Sequence, residues 1–125
     1  MSCRVLAVDD NQDAVESLEI LLQAEGYETR IAHNGVEALR IFEAWNPEVV
    51  ILDIGMPGFD GYEVAQRIRA LKPPEEVLLI AITGWGQRSH IERAFEVGFD
   101  HHIVKPADPE RLMDLLRCRT TLSAS

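Results

Sequence analysis

No apolar run in the 125-residue chain approaches the roughly 20 residues that cross a bilayer, and the strand-like run Val5-Leu6-Ala7-Val8 begins too early to leave room for a secretory leader. A soluble domain is expected, in the cytoplasm or as the cytoplasmic part of a membrane-bound protein. Cysteine is scarce: Cys3 and Cys118 lie near opposite ends with no paired spacing, which argues against a disulfide framework and against a zinc site. Basic residues are few, 12 against 21 acidic, and the net charge of −9 argues against nucleic acid or an anionic membrane as a direct partner. Cations and basic protein surfaces suit it better. Internal repeats, low-complexity segments and interdomain linkers are absent too. One core is expected over residues 1–118, with Arg119 to Ser125, small and polar, as a flexible tail.

What the chain does have is alternation. Short runs of Val, Ile and Leu, apolar without interruption and so buried on both faces, alternate with longer segments of helical period, which predicts five βα units in an α/β fold. The first helix is expected over Gln12 to Glu25, with Val15, Leu18 and Leu22 inward and Gly26 as its stop. Strand two follows from Glu28 to Ala32. The second helix carries Ala38, Leu39, Phe42 and Trp45 and ends before Pro47, which cannot continue it. Strand three ends at Asp53, and helix three starts near Gly61 with Asp60 as cap. Leu78 to Thr83 is strand four. Ile91, Ala94 and Phe95 mark helix four, strand five runs from about Asp100 to Val104, and Asp108-Pro109 opens a last helix that buries Leu112, Leu115 and Leu116. Right-handed crossovers then place helices on both faces of a parallel sheet.

This alternation brings chemistry to one place. Asp9 and Asp10 follow the first apolar run, Asp53 the third, Thr83 the fourth and Lys105 the fifth, so all five emerge at the carboxyl edge, where open α/β sheets build their sites. Three carboxylates in one pocket repel one another, and a divalent cation relieves the repulsion. Magnesium suits such hard oxygens, because it keeps waters and takes few protein ligands. Asp53 is the candidate nucleophile, since a carboxylate can accept a phosphoryl group as an acyl phosphate. Lys105 and Thr83 supply the charge and the hydroxyl that a transferring phosphoryl group requires. Taken singly these residues have plainer readings: Asp9 and Asp10 as caps of the first helix, Thr83 as a strand end, Lys105 as a solvated cation. Their convergence is what points to phosphoryl chemistry.

The acidic pair Asp9-Asp10, the stretch Asp53-Ile54-Gly55-Met56-Pro57-Gly58-Phe59-Asp60-Gly61, the Thr83-Gly84 step and Lys105-Pro106 together resemble the receiver domain of the two-component response-regulator family, over essentially the whole chain. The resemblance implies a doubly wound, flavodoxin-like three-layer sandwich with a five-stranded parallel sheet of order 2-1-3-4-5. It implies a bacterial, cytoplasmic phosphorelay module in which Asp53 takes a phosphoryl group from a phosphohistidine on a sensor histidine kinase or histidine phosphotransfer domain. Self-phosphorylation and autodephosphorylation would be its only chemistry. Mg2+, with Mn2+ as the alternative, would be held by Asp10, Asp53 and the Gly55 carbonyl, with Asp9 acting through water. A cis bond before Pro106 is implied as well. The switching surface would be the fourth helix, fifth strand and fifth helix, where two copies would also pair.

The chain departs from the family pattern at His102, where many receivers carry a tyrosine or phenylalanine three residues before the lysine. An imidazole there would make the switch formed with Thr83 sensitive to pH, against the plainer reading of a half-exposed strand histidine. Gly55 and Trp85 occupy positions that influence water access to the acyl phosphate. The wording around Thr83-Gly84-Trp85 and Asp100-His101-His102 is similar to receivers at the C-terminus of hybrid sensor kinases, and 125 residues leave no room for an output module. Other functional classes fit less well. A module that only binds partners has no need of mutually repelling carboxylates. A haloacid-dehalogenase-type phosphatase carries a second acid where this chain has Gly55, and a flavin-binding protein needs a phosphate loop where Asp10-Asn11 would repel the phosphate.

Overall fold

The computed structural model describes residues 3–54, 61–84, 88–105 and 108–124, with backbone alone for 88–90 and 118–124. The elements are β1 (Arg4–Val8), α1 (Gln12–Ala24), β2 (Glu28–Ala32), α2 (Gly35–Trp45), β3 (Val49–Asp53), α3 (Gly61–Leu71), β4 (Leu78–Thr83), α4 (Arg88–Glu96), β5 (His101–Val104) and α5 (Pro109–Ala124). All pairings are parallel and the strand order is β2-β1-β3-β4-β5. The expected (βα)5 flavodoxin-like sandwich is therefore the observed fold. α5 continues to Ala124, past residue 118, where the sequence suggested a division.

Burial explains why the sheet forms where it does. Every residue of β3 and β4 is buried, whereas the edge strands β2 and β5 are only partly so. Odd and even positions of the central strands feed two cores: Leu6, Val50, Leu52 and Leu79 pack with Phe42 and Ile68 on one face, and Val5, Ile51 and Ile80 with Leu22, Leu112 and Leu116 on the other. Truncating a side chain such as Phe42, 2% exposed, would cost about 3–5 kcal/mol.

Helix ends follow residue chemistry. Gly26 and Gly98 adopt φ of 93° and 114°, the left-handed region a glycine enters without strain. Asn34 caps α2 by accepting from the Glu37 amide, and Asp108 accepts from the Glu110 amide at the start of α5. Leu115, expected to be buried, is only partly so. On α4 Ala94 is the fully buried residue among the described side chains, and Phe95 is 49% exposed. Gly61 opens α3 directly against Ile54: a Cβ added there would meet the Ile54 Cα at 2.9 Å.

At the amino edge a single arginine joins three elements. Arg69 of α3 donates to the carbonyls of Gly98 (2.9 Å) and Val77 (2.7 Å) and to Asp100 Oδ2 (2.6 Å), which also accepts from the Leu79 amide.

Candidate functional site

The carboxyl edge carries the opposite arrangement. Pairing of β1 with β3 sets Val8 beside Leu52, and pairing of β3 with β4 sets Asp53 beside Ile82, so the chain leaves β1, β3 and β4 at adjacent points. Asp9, Asp10 and Asp53 each bring a carboxylate oxygen within 4.8 Å of the others. Asp53 is 5% exposed and Thr83 is fully buried at the last position of β4. The Lys105 ammonium lies 2.5 Å from Asp53 Oδ2 and 3.8 Å from Asp9 Oδ2. Its backbone amide donates to the Thr83 carbonyl at 2.7 Å, which ties the ends of β4 and β5 together. The acidic trio and Lys105 thus form one cluster, with Thr83 joined to it through the backbone.

Electrostatics register the crowding. Burial raises the Asp9 carboxyl above its ordinary range and the neighbouring Asp53 charge raises it further, while the Asn11 amide and Lys105 pull it back. For Lys105 burial works against the charge, but the hydrogen bond it donates to Asp53 and the charges of Asp53, Asp9 and Asp10 outweigh it, and the ammonium is held above its usual value.

Neither Asp9 nor Asp10 is the cap of α1. Asn11 takes that role, its Oδ1 accepting from the Ala14 amide at 3.1 Å, while its own amide donates to Asp9 Oδ1 at 2.9 Å. Asn11 therefore fixes Asp9 and leaves Asp10, which is exposed, aimed at neither helix amide. Asn11, a favoured cap type directly before the helical stripe, thereby frees the acidic pair from the capping role. A trio of hard carboxylates with a single ammonium beside it fits a divalent cation such as Mg2+, which would lower the mutual repulsion without needing a closed protein cage.

His102 sits on β5 opposite Ala81, half-buried, with its Nε2 shielded from solvent. Gly55, Trp85, the Asp60 cap and the bond between Lys105 and Pro106 lie outside the described residues.

The family model described as the response regulator receiver domain matches residues 5–117. The sporulation initiation phosphotransferase F of Bacillus subtilis is 32% identical over 117 residues, covering 94% of this chain and 93% of that protein. The probable transcriptional regulator ycf27 of Porphyra purpurea is 38% identical over 114 residues, but the chain spans only 46% of its length. Among solved structures, the response regulator protein TrrA of Thermotoga maritima, crystallised in complex with Mg2+-BeF, superposes with a TM-score of 0.82 at 36% identity, over 94% of this chain and 98% of that one.

Proposed function

The chain belongs to the response regulator receiver family, and from that premise we propose that Asp53 is the phosphoacceptor of a two-component phosphorelay. The donor is a phosphohistidine on a sensor histidine kinase or a histidine phosphotransfer domain. A carboxylate oxygen of Asp53 forms the new O–P bond as the P–N bond breaks, and the released imidazole takes up a proton. The observation that carries this reading is the Lys105 ammonium 2.5 Å from a nearly buried Asp53, inside a ring of two further carboxylates.

Each side chain has a part. Lys105 holds Asp53 before transfer and pairs with a phosphoryl oxygen afterwards, and its raised pKa keeps it charged throughout the neutral range. The Thr83 hydroxyl donates to a second phosphoryl oxygen. Asp10, Asp53 and the Gly55 carbonyl would hold Mg2+, with Asp9 acting through water; once bound, the ion neutralises charge on the phosphoryl oxygens. Inward movement of Thr83 then shifts α4, β5 and α5, the surface proposed to meet partners or a second copy, and His102 stands in the aromatic switch position. Gly55 and Trp85 are proposed to tune hydrolysis on the family resemblance alone.

The test uses acetyl phosphate as donor. Wild-type protein should gain the mass of one phosphoryl group with Mg2+ and none with EDTA, and Asp53→Asn should gain none. Equal mass gain in Asp53→Asn would overturn the assignment.

A further inference from the structure

α4 is lightly held against the rest of the molecule. Among its described side chains, those of residues 91–96, Ala94 is fully buried and Ile91 half-buried, while Glu92, Arg93, Phe95 and Glu96 are exposed. Two contacts reach it from α3. Past its end, Arg69 donates to the Gly98 carbonyl at 2.9 Å, and Phe99 enters the core directly afterwards. Nearer its middle, the guanidinium of Arg93 lies over the ring of Tyr62, with its carbon 4.7 Å from the ring centre. The first contact fixes where the helix ends, and the second fixes where its body lies.

Tyr62 is the anchored half of this stack. It is half-buried against the core on its face of the sheet. It also follows Gly61, whose backbone comes so near Ile54 that a Cβ there would meet the Ile54 Cγ2 at 2.8 Å, and Ile54 is the neighbour of Asp53. A ring placed in this way cannot travel with α4, so displacing the helix opens the stack. A guanidinium over an aromatic face at an exposed site shifts a two-state equilibrium roughly two- to fivefold. On a short helix with so little buried, that factor is enough to set which position dominates.

We infer that the stack of Arg93 on Tyr62 is a brake on the acceptor site: it favours the present position of α4, and the displaced position that goes with a phosphoryl group on Asp53 forms only when the stack opens. The inference rests on Asp53 being the phosphoacceptor and on α4 moving when it is modified. A contact made in one state and lost in the other works against whatever favours the second state. Without the stack, the displaced position is more populated beforehand, and phosphoryl transfer speeds up in proportion. This link runs from Asp53 through Ile54 and the start of α3, separate from the one through Thr83 and β4.

The experiment compares the full chain with Arg93→Gln, with Tyr62→Leu, with both together, and with Tyr62→Phe, which keeps a ring beneath the guanidinium. Hydrogen exchange of the α4 amides is read without any phosphoryl donor, and the rate of mass gain is read with acetyl phosphate and Mg2+. Arg93→Gln and Tyr62→Leu should each speed both readouts roughly two- to fivefold, the double change should add little to either, and Tyr62→Phe should match wild type. Tyr62→Leu alters no charge, so a faster reaction in it cannot come from attraction of the acetyl phosphate anion. If Tyr62→Leu fails to fold, Arg93→Gln, at an exposed position, decides the matter. Unchanged exchange in α4, fully additive single changes, or faster exchange with an unchanged or slower mass gain would overturn the inference and leave an ordinary surface contact. The exchange effect should persist in Asp53→Asn, so absence of mass gain in wild-type protein would instead count against the phosphoacceptor reading.

Discussion

The two edges of the sheet use the same kinds of charged group to opposite ends. At the amino edge, Arg69 and Asp100 face each other at 2.6 Å and the remaining hydrogen-bonding capacity is spent on the carbonyls of Gly98 and Val77 and the Leu79 amide. At the carboxyl edge, Asp9, Asp10 and Asp53 share one ammonium among the described residues. The first arrangement is complete and acts as a fastening between α3, β4 and β5. The second, among the described residues, is short of positive charge, which is the condition for taking up a cation. A charged cluster is read by its balance rather than by its count.

Disabling each edge separately should separate the two roles. The largest effect is expected at the carboxyl edge: Asp53→Asn should abolish Mg2+-dependent phosphorylation while thermal unfolding stays cooperative, as checked by intact mass and circular dichroism. At the amino edge Arg69→Ala should leave phosphorylation in place and lower stability by about 2–3 kcal/mol, measured by urea unfolding. That is below the usual loss for breaking a fully buried pair, since Arg69 is 12% and Asp100 27% exposed. Gly98→Ala, which forces a side chain to φ 114° and toward Arg69 Cγ at 2.6 Å, should cost about 1–2 kcal/mol in the same assay.

The smallest effect has the opposite sign. The Asp9 carboxyl binds its proton more readily in the folded chain than at its ordinary value of 3.8. Its stabilising contribution is therefore present below that value and lost as pH rises through the higher folded one. At neutral pH without metal the ionised group is a burden, and Asp9→Asn should stabilise the protein by about 1 kcal/mol. The gain should disappear in acid and shrink when Mg2+ is added; a melting temperature that falls at neutral pH in EDTA would contradict it.

Most of the fold was legible because continuous apolar runs have one explanation, burial on both faces, and each boundary carried a residue with a local reason to be there, such as Gly26, Gly98 or Asp108. The acidic trio and Lys105 were legible once those runs were taken as parallel neighbours. What escaped depends on distance in space. Arg69 and Asp100 are 31 positions apart and announce nothing in sequence. Phe95 shares the apolar period that marks α4 yet is 49% exposed, while its neighbour Ala94 is fully buried.

The contact between Gly61 and Ile54 has a consequence for how this protein can diversify. Ile54, directly after Asp53, and Gly61, the first residue of α3, are held against each other, so the end of β3 and the start of α3 are fixed at one spot. The start of α3 is thereby held to glycine, because any side chain there would push the helix away from the strand end that carries Asp53.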